Sequence, residues 1–281
     1  MRQFFALGLM AFVTSWMAAA SPGLLLAQEA AVQQPPAAKP KIPPAPKKYK
    51  GREIAPTMSY GGANWLIRDN REQEEHCETL LKALELQPGQ VICDMGCGNG
   101  YYTLPMAKLV GKTGRVLAVD IQPEMLHLLD LRAKNEQLEN IEPIQSTVVD
   151  PKLPEGEVDL ILLVDVYHEF SHPEPMLAAM RKALKPTGRI ALVEFRLEDP
   201  TVPILLVHKM SKEQIMKEFP PNGFKLVGEF EKLPWQHVMF FGRDDAGPTE
   251  DEAGDDSTSQ KRMRTKQSGR KSRAKREKAV D

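Results

Sequence analysis

The chain has 281 residues, and 37 basic side chains nearly balance 38 acidic ones, for a formal net charge of −1 at pH 7. That length holds one sizeable domain with tails. The near-zero charge is an average over unlike parts, and three cysteines exclude a disulfide framework.

Arg2 precedes an uncharged apolar run from Phe4 to Ala20. Ala18, Ala19 and Ala20 then lead into Ser21-Pro22-Gly23, with a second candidate processing point at Ala27. Residues 1–27 therefore read as a signal peptide. Ser21-Pro22-Gly23 interrupts any continuous membrane helix, which favours cleavage and export to the periplasm. The alternative is an N-terminal anchor. Lys39, Lys41, Lys47, Lys48 and Lys50 would then hold the domain on the cytoplasmic side. Residues 28–57 are rich in Pro and Lys and read as an extended linker without a catalytic role.

The folded part opens near residue 58. Ser59 to Trp65 precedes a helix capped by Asp69 or Asn70 and stopped by Pro88-Gly89. Val91-Ile92-Cys93 is a central strand that ends at Asp94 and runs into Gly96, Cys97, Gly98 and Gly100. A helix follows from Tyr101 to Val110. Strand, glycine turn and helix make the first unit of a nucleotide-binding α/β fold. The glycines run G-x-G-x-G, not the G-x-G-x-x-G of dinucleotide sites, which disfavours a nicotinamide oxidoreductase.

Val116 to Val119 is the second strand, and Asp120 ends it, where a carboxylate can accept both ribose hydroxyls. Pro123 starts the next helix. The third strand falls within Ile141–Val149, and Pro143 argues for a sheet edge. Val158 to Val164 is a fully buried fourth strand that delivers Asp165-Val166-Tyr167-His168-Glu169-Phe170 to the ligand edge. Lys185-Pro186-Thr187-Gly188 turns into the fifth strand, Arg189 to Phe195. Ser211 and Gln214 cap a further helix, and Phe224–Phe230 with Val238–Phe241 form a final strand pair.

His168-Glu169-Phe170-Ser171-His172 matches H-E-x-x-H, the pattern of a zinc hydrolase. Its context disfavours that reading. The residues follow a buried strand directly, and Pro173 disfavours helix at His172. No metal ligand is assigned.

Residues 58–243 resemble class I S-adenosylmethionine-dependent methyltransferases of the small-molecule, quinone-biosynthesis-like type. The resemblance rests on Asp94 with the G-x-G-x-G turn, Tyr101-Tyr102-Thr103, the Asp120-Ile121-Gln122-Pro123-Glu124-Met125-Leu126 segment and the Tyr167-His168-Glu169-Phe170 loop. Cys77, Cys93 and Cys97 are not placed as an arsenite-type enzyme requires. The resemblance implies a doubly wound, mostly parallel seven-stranded α/β sheet with a reversed last strand. It implies S-adenosyl-L-methionine as cofactor and a small-molecule acceptor. Cofactor contacts are expected at Asp94, Gly96, Cys97, Gly98, Gly100, Tyr101, Asp120, Ile121, Asp150, Asp165 and Val166. Tyr60, Trp65, Arg68 and Arg71 are candidates for a lid. His168 and Glu169 are expected to take a proton from the acceptor or to position it, the alternative being a hydrogen-bonded pair that stabilises the loop. Glu194, His208, Trp235 and His237 are weaker pocket candidates. A scaffold that binds the cofactor without catalysis is the other functional class.

Residues 244–281 run from acidic to densely basic with almost no apolar side chain, so they cannot bury enough surface to fold. Such a tail reads as a non-specific solvated segment, the alternative being weak contact with nucleic acid or anionic lipid without a stacking platform.

Overall fold

The structure is a computed structural model that describes residues 42–246. The signal segment expected over 1–27, the first part of the linker and nearly all of the acidic-to-basic tail lie outside the described residues.

The central sheet has 8 strands. In chain order they are β3 (Val91–Met95), β4 (Arg115–Asp120), β5 (Ile141–Gln145), β6 (Val158–Val164), β7 (Leu184–Arg196), the short β8 (Lys209–Met210), β9 (Phe224–Phe230) and β10 (Gln236–Arg243). Their spatial order is β5-β4-β3-β6-β7-β10-β9, with β8 beside β7. The strands from β5 to β7 pair in parallel, and β10 runs antiparallel to both neighbours. This is the sheet with a reversed last strand that the sequence led us to expect. The order reverses between β3 and β6, so their carboxyl ends flank the crevice where open α/β sheets bind ligands.

Helices cover both faces. They are α1 (Arg71–Glu75), α2 (Cys77–Ala83), α3 (Thr103–Val110), α4 (Pro123–Asn135), α5 (Pro173–Ala183) and α6 (Lys212–Glu218). Alternation along each strand divides the core. Cys93, Ile161, Leu163 and Leu192 pack with Met176, Leu177 and Met180 of α5 and with Phe219 and Phe241. Ile92, Leu160, Leu162 and Val193 pack with Leu80 of α2 and with Met106 and Val110 of α3. Each such fully buried side chain contributes about 1.5–3 kcal/mol of apolar transfer energy. All three cysteines are buried and free. Pro143 sits in edge strand β5, where its missing N–H costs no ladder bond to a further strand.

Three local expectations are corrected. The helix before β3 is broken at His76, whose backbone is left-handed (φ 52°, ψ 50°). The break lets Glu75 turn inward to Arg71 and Arg68 while Leu80 still faces the sheet. The expected turn at Lys185–Gly188 is a bulge inside β7, where pairing jumps from Val158↔Leu184 to Leu160↔Arg189. The third correction concerns the linker expected to reach residue 57, whose described end is docked. β1 (Lys48–Tyr49) and β2 (Arg52–Glu53) form a hairpin turned at Lys50 and Gly51, both with positive φ. Arg52 Nε donates to buried Glu218 Oε1 at 2.8 Å, and Arg52 Nη1 and Ala55 N both donate to His168 O.

Candidate functional site

A cleft of about 840 Å³, its open mouth included, lies at the carboxyl ends of β3, β4 and β6. Gly96 and Gly98 form one wall, Asp120, Ile121 and Gln122 the next, and Asp165, Val166 and Glu169 the opposite one. Ser146, Thr147 and Val148 close the end beyond β5, and Thr57, Met58 and Leu66 cover it. Gln122 pins the cover, accepting from Tyr60 N and donating to Met58 O.

Only glycine fits the turn after β3. Gly96 has φ +72°, and a Cβ there would lie 2.3 Å from Val166 Cγ2. At Gly98, φ is +52° and a Cβ would lie 2.6 Å from Leu66 Cδ1.

Asp120 ties that turn to β4. Its Oδ2 accepts from Gly98 N at 2.9 Å and its Oδ1 from Gln122 N at 2.8 Å. Burial raises its pKa, against the pull of these backbone donors. Asp94 does not line the cleft among the described residues. It stands behind the turn, where its Oδ2 accepts from Thr103 Oγ1 at 2.5 Å and holds the start of α3. Burial pushes its pKa up to about 6.

Asp165 takes left-handed backbone (φ 51°) directly after β6. The residue is part-exposed, but its Oδ1 is out of solvent and has no hydrogen-bond partner, and the same holds for Gln236 Oε1. Gln236 Nε2 donates to Asp165 Oδ2 at 3.2 Å. Burial, with the charges of Glu75 and Glu194, holds the Asp165 pKa well above the usual carboxylate range. Buried polar atoms without partners mark a place where a ligand donor fits.

His168 and Glu169 separate. Glu169 lines the cleft and accepts from Met58 N at 3.3 Å. Burial raises its pKa to about 7, against the opposing charge of His168. His168 is only 2% exposed and lies behind the wall. Its Nδ1 is 2.6 Å from Glu194 Oε2 and its Nε2 is 3.1 Å from His208 Nδ1. Burial disfavours its imidazolium, but the Glu194 carboxylate outweighs that and raises its pKa. His208 goes the other way, lowered by burial and then by His168. The expectation that His168 meets the acceptor directly is corrected: Glu169 is the member of the pair that faces the cleft.

Other expected contacts also fall outside it. Cys97 is buried beneath the turn. A Cβ at Gly100 would meet Leu129 Cδ1 at 2.2 Å, so this glycine serves the packing of α4. Tyr101 lies under the Arg71 guanidinium at 4.2 Å. Asp150 is exposed and caps its own loop by accepting from Lys152 N, leaving Ser146 and Thr147 at the cleft. Of the expected lid residues, Arg71 is buried with Glu75 and Arg68 stacks on Trp65, while Tyr60 lies against Pro123 outside the cleft. Leu66, Thr57 and Met58 take the covering role. Their apolar or small side chains carry no sequence mark that separates a lid from ordinary core.

A family model described as a methyltransferase domain matches residues 86–255. Demethylmenaquinone methyltransferase of Lactobacillus johnsonii is 28% identical over 150 residues, covering 53% of this chain and 59% of the relative. The ubiquinone/menaquinone biosynthesis C-methyltransferase UbiE of Pseudomonas savastanoi is 31% identical over 159 residues, covering 53% of this chain and 60% of the relative. The chain thus spans about three fifths of the length of these two relatives. A crystal structure of a SAM-dependent methyltransferase from Aquifex aeolicus shares the fold, with a TM-score of 0.62 at 23% identity over 66% of this chain and 98% of that one. With the family model covering more than half of its length, the chain belongs to the methyltransferase-domain family.

Proposed function

We propose that the protein transfers the methyl group of S-adenosylmethionine to a small-molecule acceptor held in this cleft. The observation that carries the reading is the placing of Asp120 and Asp165 on facing walls, with the Gly96–Gly98 turn between them. When bound, S-adenosylmethionine supplies an electrophilic methyl group on a sulfonium centre, open to in-line displacement. Asp120 keeps its two backbone donors and has further lone pairs for ribose hydroxyls. Asp165 Oδ1 suits the ammonium of the amino-acid end, which brings a donor to an acceptor that lacks one. Glu169 and the apolar Phe170 and Met176 line the acceptor side. Positioning is the main contribution such a site makes to displacement chemistry.

Calorimetric titration of the full chain with S-adenosylhomocysteine and, separately, with NAD tests the donor. The expected outcome is stoichiometric binding of the first and none of the second; binding of NAD alone would overturn the reading. Reduced quinones are the first acceptors to assay, because the relatives' names point there. Tight homocysteine-adduct binding without turnover across quinol, phenol and thiol panels would favour a scaffold. We further infer export, or anchoring with the domain facing the cytoplasm, from the apolar run Phe4–Ala20. N-terminal sequencing of protein recovered from cell fractions tests it.

A further inference from the structure

The cluster behind the Glu169 wall is not explained by donor binding. His168 Nε2, His208 Nδ1 and a Glu169 carboxylate oxygen all lie within 4.8 Å of one another. The two nitrogens are 3.1 Å apart. Two imidazoles bound to one tetrahedral zinc-type ion at about 2.05 Å stand about 3.3 Å apart, so the rings are already near ligand spacing. Glu194 supplies the outer support. With its carboxylate 2.6 Å from His168 Nδ1, Glu194 holds the proton at Nδ1, and the Nε2 lone pair points at His208 Nδ1. Ring orientation is fixed by burial, because His168 is 2% exposed and Glu194 fully enclosed.

We propose that His168, His208 and Glu169 form a binding site for one divalent transition-metal ion in the wall of the cleft. Two imidazoles and one carboxylate suit zinc, iron, cobalt or nickel better than calcium or magnesium, which favour all-oxygen shells. The site differs from the H-E-x-x-H pattern. His172 is turned away, its Nε2 2.9 Å from Pro43 O and its Nδ1 2.9 Å from Ser171 Oγ. His208, from the 3-10 turn Leu206–His208 just before β8, takes the place of the second imidazole. Glu169 brings the ion to the cleft surface, with coordination positions left for an incoming group. On the methyl-transfer reading, that group would be an acceptor oxygen or sulfur that gives up its proton to solvent at the open mouth of the cleft as it binds the ion.

The test uses full-length protein stripped with a chelator and dialysed, then titrated with cobalt(II) and followed by its visible d–d absorption. One equivalent should bind, with a spectrum of nitrogen and oxygen ligands. His208→Ala and Glu169→Gln should each abolish saturable uptake. Glu194→Gln should weaken it by about 10–100-fold, and His172→Ala should leave it unchanged. Circular dichroism confirms that each variant is folded, and two ligand variants from different loops guard against loss of one to misfolding. Absence of stoichiometric uptake by the wild type would overturn the site, as would uptake that survives both ligand variants. Loss on His172→Ala would overturn it in favour of the sequence motif. S-adenosylhomocysteine affinity is measured on the same samples. Retained affinity without metal uptake refutes the ion site alone, whereas loss of nucleoside binding in metal-replete wild type refutes the methyl-transfer reading.

Discussion

One side of the cleft is made by Gly96, Gly98, Asp120 and Gln122, all within one strand–turn–helix–strand passage. The opposite side draws Arg52, Glu169, Glu194, His208 and Glu218 from five separate segments. The first side is held by backbone donors onto one carboxylate and by glycines that admit no Cβ. The second is held by buried charge and imidazole contacts across long stretches of chain. A local device survives changes elsewhere in the fold, whereas a dispersed one fails when any contributor is removed.

Breaking the dispersed side should produce the largest effect. Arg52→Ala leaves Glu218 enclosed without its guanidinium, which costs about 3–5 kcal/mol. Chemical denaturation should show that loss, while S-adenosylhomocysteine affinity changes less than about twofold if the two sides are independent. A large loss of affinity would erase the distinction drawn above.

This contrast also explains what the sequence made legible. Asp120 was readable because a β-branched strand ends there and a glycine turn stands one strand earlier, so pattern and chemistry share one short stretch. Glu194 was half-readable as a charge inside an apolar strand. His208 reads only as a weaker pocket candidate, being a single imidazole in a three-residue 3-10 turn. Arg52 lay in a Pro- and Lys-rich stretch whose composition argues for solvent. Asp94 stands at the end of its strand as expected, and its side chain meets Thr103 behind the turn. A sequence shows that a strand stops, not which way its last side chain points.

On the local side, Asp120→Ala removes the acceptor for Gly98 N and Gln122 N together with the expected ribose contact. Calorimetry should show S-adenosylhomocysteine binding weakened roughly 100-fold, about 2.7 kcal/mol. Thermal stability should fall far less than in Arg52→Ala.

Asp94 sharpens the comparison through pH. Its folded pKa of about 6 exceeds the ordinary 3.8, so its contribution to stability is fully present below pH 3.8 and is lost as pH rises through 6. The difference is worth on the order of 3 kcal/mol. Asp94→Asn should flatten the denaturation free energy across that window and raise stability at pH 7 by up to that amount. A profile parallel to wild type would show that this carboxylate is not strained by its burial.

The smallest effect is expected at Gly96. Gly96→Ala drives a methyl into Val166, at about 1–3 kcal/mol for such overpacking. Adding Val166→Ala should recover part of the loss in melting temperature. The recovery will be incomplete, because φ of +72° still disfavours alanine.

The hairpin at residues 48–53 bears on how the molecule assembles. Arg52 meets a partner 166 positions further along, so the hairpin gains this contact only after α6 has emerged from the ribosome. Closing so long a loop is slow, and the cover of the cleft, tied to His168 O through Arg52 and Ala55, is set only when that closure is complete. Nascent chains would thus hold the parallel strands β3 to β7 before the cover of the cleft is docked.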